Sequence, residues 1–292
     1  MDSMQPSRLP AGMIDLHAYR PGSPPDRQGL PADGQGLSAD GQGLPPYRQG
    51  LIVGDCLQIM PTLPSGSVDL IVTDPPFNIG YHYADYDDRR SRADYLAFTD
   101  RYLAECVRLL TPTGAIFIAI GDDYAAELKL RLDGLGLTMR NWIIWHYTFG
   151  VHCTRKFARS HTHILYYTRH PRRFTFNADA VRVPSARQTR YADRRAYPAG
   201  RIPDDVWQFS RVCGTFRERA RAGGQAHPCQ MPEALVERIV RVASNAGELV
   251  FDPFAGSGTT LAVAARLGRR WLGIERSPVY ARIIEERLGS IA

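Results

Sequence analysis

Long apolar runs are missing from this chain. No stretch reaches the roughly 18 consecutive apolar residues of a membrane-spanning helix, and the N-terminus lacks the basic, then apolar, then small-residue order of a secretory leader. Cysteine is scarce and unpatterned. Cys56, Cys106, Cys153, Cys213 and Cys229 are odd in number and include no Cys-x-x-Cys pair, which argues against a disulfide framework and a cysteine zinc site. The reading is a protein of the reducing cytoplasm with no membrane partner. No metal site is expected. His152, Cys153, His161 and His163 are close in sequence, but the alternate spacing of His161 and His163 marks one face of a strand. Lysine is nearly absent too: Lys129 and Lys156 are the only two, so almost all of the 36 basic residues are arginine.

The arginines are not spread evenly. Residues 151–222 hold fifteen of them with one lysine and five acidic residues, a net of +11, in a chain whose total is +6. A basic block on a mildly acidic body suits a polyanionic partner. The 292 residues, 44% of them hydrophobic, suffice to bury a sizeable core.

Residues 1–50 read as a disordered tail, rich in Pro, Gly, Gln and Asp. They carry a seven-residue repeat of Gln-Gly-Leu, beginning at Gln28, Gln35, Gln42 and Gln49. One large apolar residue per repeat, with Gly and often Pro beside it, cannot make a helical seam. From Leu51 to the end, short apolar runs alternate with amphipathic stretches. Strands are expected at 51–54, 68–73, 115–120, 142–147, 163–167, 249–252 and 271–274, and helices near 93–110, 122–135, 232–244, 258–267 and 277–288. This alternation predicts an α/β domain, doubly wound, with a mostly parallel sheet. Ligands of such folds sit beyond the carboxyl ends of strands.

Two strand ends carry chemistry. At the first, the run 68–73 leads into Asp74-Pro75-Pro76-Phe77. The prolines lack N–H groups and fix φ, so their carbonyls are held rigid to accept hydrogen bonds. Asp74 adds an acceptor and Phe77 a flat apolar face, which together suit a planar group bearing an amine. At the second, the run 249–252 leads through Asp252, Phe254, Gly256 and Gly258 into a helix starting near Thr259 and Thr260. Glycines let a ligand approach the backbone, and a helix N-terminus favours negative charge. Glu275 ends the next strand, where an acid that binds ribose hydroxyls usually stands. Leu261 occupies the place of a third dinucleotide-binding glycine, and no P-loop lysine follows. The ligand reads as an adenosine compound with a short charged tail and no pyrophosphate.

These residues resemble the motifs of amino-group DNA methyltransferases. Residues 252–260 are similar to the family's S-adenosylmethionine loop. Residues 73–77 resemble its catalytic motif, with Phe where Tyr is common. The catalytic motif precedes the cofactor motif, as in the beta group, whose fold is a circularly permuted Rossmann-like one. Gly54-Asp55-Cys56 matches the motif near the cofactor adenine. His227 and Pro228 open a segment matching the one that leads into the helix before the cofactor loop, with Cys229 and Met231 where Thr and Lys are frequent.

The resemblance implies methyl transfer from S-adenosyl-L-methionine to the exocyclic N6 amine of adenine in double-stranded DNA. Asp at position 74 favours adenine, and Ser is more frequent there in cytosine-N4 enzymes. A cytosine-N4 enzyme and a catalytically silent DNA-binding relative are the alternatives. Asp74 and the Pro75 carbonyl would accept the two amine hydrogens, Phe77 would stack on the base, and Pro76 would complete the rigid turn. Asp55, Cys56, His227, Pro228, Asp252, Phe254, Gly256, Gly258, Thr259, Thr260 and Glu275 would hold the cofactor. In the basic block, Arg155, Lys156, Arg159, Arg172 and Arg173 read as phosphate contacts. The stretch 182–201, with Arg187, Arg190, Arg194 and Arg195, reads as the target-recognition loop. A cognate restriction endonuclease and a homodimer stay open as further partners.

Overall fold

The computed structural model describes residues 13–14, 49–81, 86–148, 152–219 and 227–291. In chain order the elements are β1 (Met13–Ile14), β2 (Gly50–Val53), α1 (Cys56–Ile59), β3 (Val68–Thr73), α2 (Arg92–Leu109), β4 (Leu110–Ile120), α3 (Ala125–Gly134), β5 (Thr138–His146), β6 (His161–Thr168), α4 (Ala186–Thr189), β7 (Val206–Gln208), α5 (Glu233–Ala243), β8 (Leu249–Asp252), α6 (Thr259–Arg266), β9 (Arg270–Glu275) and α7 (Pro278–Gly289). The strands form one sheet in the order β1-β2-β9-β8-β3-β4-β6-β5-β7. β1 and β6 run against the rest, and the other strands are parallel. Most of the Gln-Gly-Leu repeat lies outside the described residues. The pairing of Met13 with Ile52 and of Ile14 with Leu51 departs from the expectation of a tail without elements.

The parallel strands are buried on both faces and so read as near-continuous apolar runs. One face of the sheet packs against α5, α6 and α7, with Leu235, Ile239, Val263 and Ile284 in the core. The other packs against α2 and α3, with Tyr95, Tyr102, Leu103 and Leu128. α2 shows why such a segment is helical. Ser91 caps it by accepting the Asp94 N–H, which satisfies one of the open N–H groups. Its buried residues Tyr95, Phe98, Thr99, Tyr102, Leu103 and Cys106 recur at spacings of three and four, one stripe of a 3.6-residue period. The run Thr111-Pro112-Thr113-Gly114 is a bulge inside β4. Val68 pairs with Leu110 and Leu70 with Ala115, so the intervening residues loop outward.

Strand order positions the site. From β3 the chain moves to β4 on one side, and from β8 to β9 on the other. The loops leaving β3 and β8 therefore part, and the crevice opens at this switch point. Asp74 and Asp252 sit at the two neighbouring strand ends.

Candidate active site

A cleft opens at the switch point, with Asp55, Asp74, Asp252, Phe254, Gly256 and Glu275 on its wall. Cys56, Pro76, His227, Thr259 and Thr260 also face it, while Pro75, Phe77, Pro228 and Gly258 stand beside wall residues in the chain. Two strand ends that are far apart in sequence are thus brought into one space.

The turn at 74–77 is braced from behind. The Tyr95 hydroxyl donates to the Pro76 carbonyl at 2.8 Å. This corrects the expectation that both proline carbonyls are free for a ligand: the carbonyl of Pro76 is engaged by the protein. Beyond Phe77 the chain folds around Asp88, which is 1% exposed. Its carboxylate accepts the N–H groups of Asn78, Ile79 and Tyr81. Asn78 takes a left-handed φ of 57°, which asparagine tolerates well, and its amide bonds Arg90 and Tyr124. Phe77 lies against Gly121 at the end of β4, where a Cβ would come within 3.3 Å of the ring. Asp88 and Tyr95 escaped the sequence reading because neither belongs to a motif. The only signal was an acid and a phenol in the stretch following the prolines.

The glycine loop is shaped by two groups. At Gly256, with φ of 54°, a Cβ would meet the His227 ring at 2.9 Å. His227 is itself wedged edge-on against Tyr280 and bonded to the Cys229 carbonyl. Gly258, also left-handed, starts α6 with Ile284 behind it. Glu275 accepts the Gly256 N–H at 2.7 Å and the Ser277 N–H at 2.8 Å. It therefore orders the loop as well as facing the cleft. Arg287 of α7, 8% exposed, was not anticipated. Its guanidinium donates to the Ser257 carbonyl, the Thr259 hydroxyl and Glu233. It ties the loop to the first turn of α5, the helix that His227 and Met231 lead into. An arginine at the far end of the chain carries no spacing signal toward a loop 30 residues away.

Three carboxylates crowd the cleft. Burial lifts Asp74 to about 7, and the charge of Asp252 adds to this. Burial lifts Asp252 to about 6 against the hydrogen bond from Phe254. Burial lifts Glu275 to about 7 against its two N–H donors. Each group holds its proton more tightly folded than unfolded. Its favourable contribution is thus fully present below the ordinary carboxylate range and is lost as pH rises through the folded value. The cofactor-free protein is therefore expected to melt at a lower temperature at pH about 8 than at pH about 5, with most of the fall between about 5 and 7. Thermal unfolding across that range checks it, and a rising melting temperature would show that these acids are charged at lower pH. Cys56, lifted to about 12 by burial, is no nucleophile.

The basic residues divide by sheet edge. β6 runs antiparallel, so His163 lies opposite Ile120 at the end of β4, and Thr168 lies opposite Ala115 near its start. Arg155, Lys156 and Arg159 precede β6 and sit at the cleft edge. Arg172 and Arg173 follow β6 and sit at the other edge, beyond a strand of eight residues that is roughly 23 Å long. The strand direction thus separates them from the first three. Arg159 is partnered by Asp122 at 2.8 Å and Asp123 at 3.5 Å. The stretch 182–201 shows little periodicity in sequence, yet it is closed by a bridge between Val183 and Arg201 and carries the Ser185 capping box of α4. Arg187 lies in α4, Arg190 rests on Tyr191, Arg195 pairs with Asp193, and Arg194 is exposed.

Asp122, His161 and His163 also meet. The Trp142 indole donates to His163 Nδ1 at 2.8 Å, which leaves the His163 proton on Nε2, facing Asp122 at 3.0 Å. That nitrogen is a donor rather than a metal ligand in this arrangement.

Residues 68–286 match the N6_N4_Mtase family, a DNA methylase family. The chain belongs to it. Among similar proteins, the type II methyltransferase M.HpaI of Haemophilus parainfluenzae is 39% identical over 83% of this chain and 74% of its own length. The DNA adenine methyltransferase YhdJ of Escherichia coli K12 is 33% identical over 82% of each. A putative DNA modification methylase of Thermus thermophilus, solved with S-adenosyl-L-methionine, superposes with a TM-score of 0.57 at 29% identity, over 82% of this chain and 93% of that one. The cytosine-N4-specific PvuII DNA methyltransferase shares the fold, with a TM-score of 0.61 at 18% identity, over 83% and 90%. The cofactor of this methyltransferase is S-adenosylmethionine. The cleft fits it: glycines whose Cβ positions are already taken, a helix start, and three carboxylates facing a space that must take a sulfonium and a ribose. Among the described residues, no helix is long and apolar enough to cross a membrane.

Proposed function

We propose that this methyltransferase modifies the N6 amine of adenine at a defined site in double-stranded DNA. The observation that carries the reading is Asp74, a carboxylate on the cleft wall beside a proline turn braced by Tyr95. Asp accompanies adenine in the family pattern, and the relative named as an adenine methyltransferase supports the same base. The exocyclic nitrogen is a poor nucleophile because its lone pair is delocalised into the ring. Accepting its two hydrogens at Asp74 and at the Pro75 carbonyl draws it toward tetrahedral geometry and frees the lone pair. The bound cofactor would supply an electrophilic methyl group. Phe77 offers a face for the base, Gly256 and Gly258 leave room for the cofactor, and Asp55 and Glu275 supply acceptors for its adenosine. Positioning and electrostatics carry the rate. Expression in a methylation-free host, with mass spectrometry of the nucleosides, tests the reading. N6-methyladenine is expected, and N4-methylcytosine would overturn the choice of base.

DNA is held by the basic groups at the cleft edge. Neutralising Arg155 and Lys156 together is expected to flatten the salt dependence of binding by about 1.8 log units per log unit of salt. Neutralising Arg172 and Arg173 should leave it unchanged. Titrations at three salt concentrations decide between the two edges, and a flattened slope in the second variant would return Arg172 and Arg173 to the phosphate contacts. Changing a base-reading residue in 182–201 should relax one position of the site at an almost constant slope.

A further inference from the structure

Phe157 is 100% exposed, the most exposed large apolar side chain among the described residues. Its neighbours are Arg155, Lys156 and Arg159, so an apolar ring stands in a cluster of phosphate-seeking charge. Its loop is fastened to the catalytic end of the sheet. Arg159 grips Asp122 and Asp123 just past β4, Ser160 accepts the Tyr147 N–H, and the His161 carbonyl accepts the Tyr147 hydroxyl. Gly121, adjacent to Asp122, is the residue against which Phe77 packs. Phe157 therefore projects from a loop whose base is anchored beside the ring expected to receive the target base. Phe216 is also exposed, at 85%, but its turn is tied through Glu218 to Gln230 and Arg287 on the cofactor side. Tyr191 and Tyr197 lie under Arg190 and Arg182.

We propose that Phe157 enters the duplex and takes the stacking place of the base that leaves it. The inference rests on the DNA-methylating reading above. A base must unstack before its amine can reach Asp74, and apolar side chains that wedge into base steps offset that loss. Stacking on an aromatic ring tolerates any sequence, so this role needs no particular recognition site.

The test compares two duplexes carrying the site found by sequencing the methylated host DNA. One is fully matched. The other has an abasic position opposite the target base, which is then already loosened. Phe157→Ala is expected to lower kcat/KM on the matched duplex by about 5- to 150-fold and to come within about threefold of the wild type on the abasic one, with Phe157→Trp active on both. The side chain touches little of its own protein, so cofactor affinity should stay unchanged. Equal activity of Phe157→Ala and wild type on the matched duplex would overturn the proposal. So would an equal loss on both duplexes, which would mark a role in affinity alone. Host DNA that carries no new methyl mark, so that no site is found, would overturn the parent reading instead.

Discussion

Asp74→Ala is expected to lower methyl transfer by about 10²- to 10³-fold or more while leaving cofactor affinity nearly intact. In the proposed mechanism Asp74 addresses the amine, while the loop at 254–259, His227 and Glu275 line the cleft that would take the cofactor. Calorimetry and single-turnover assays separate the two quantities. Near-normal turnover would remove Asp74 from the chemistry. Asp74→Asn is the finer probe, because its amide oxygen still accepts one hydrogen while its nitrogen cannot. It should keep a fraction of the activity and change the pH dependence. In the wild type, the charged form is reached only as pH rises through about 7, so kcat/KM should climb through that value and level off above it. With Asn at position 74 that rise should disappear. Its persistence would assign it to Glu275 or to another group.

Gly256→Val is expected to abolish cofactor binding at concentrations that saturate the wild type. A side chain in a glycine loop that lets a ligand approach the backbone would fill the ligand's space. The structure supplies a nearer obstacle, because the Cβ itself meets the His227 ring and the backbone is left-handed. A β-branched residue there meets backbone strain and overpacking of about 1–3 kcal/mol each. The smaller change Gly256→Ala separates the causes. If the clash with His227 dominates, adding His227→Ala should restore part of the affinity, since only the left-handed cost of about 1–2 kcal/mol remains. A double variant that binds more weakly than either single one would instead place His227 in direct contact with the cofactor.

What could be read from the sequence was whatever local pattern encodes. The strand 249–252 has the same ends in both readings, and the helix expected near 93–110 spans 92–109. Both are strongly periodic or flanked by recognisable turn residues. Asp74, Asp252 and Glu275 were found because strand ends of an α/β sheet are where such groups collect. Direction was the hidden quantity. The alternation of His161 and His163 reveals a strand but not that β6 runs backward, and that reversal carries Arg172 and Arg173 to the far edge. Long-range ties were hidden too. Nothing local announces that Tyr95 would bond Pro76, that His227 would lie beneath Gly256, or that Arg287 would hold Ser257.

The stretch 182–201 hangs between two staples. At one end Asn177 bonds the Arg241 and Ser244 carbonyls and the Asn245 side chain, and its N–H reaches Val242. At the other, β7 pairs with β5, and Trp207 lies under Arg238. Both staples fasten to the body of the domain, and the residues between them are mostly exposed. In evolutionary terms the excursion is a cassette. Its length and composition can drift, or be exchanged whole between relatives, without the sheet being repacked, whereas β6, with Leu165 and Tyr167 at 0% exposure, cannot travel with it.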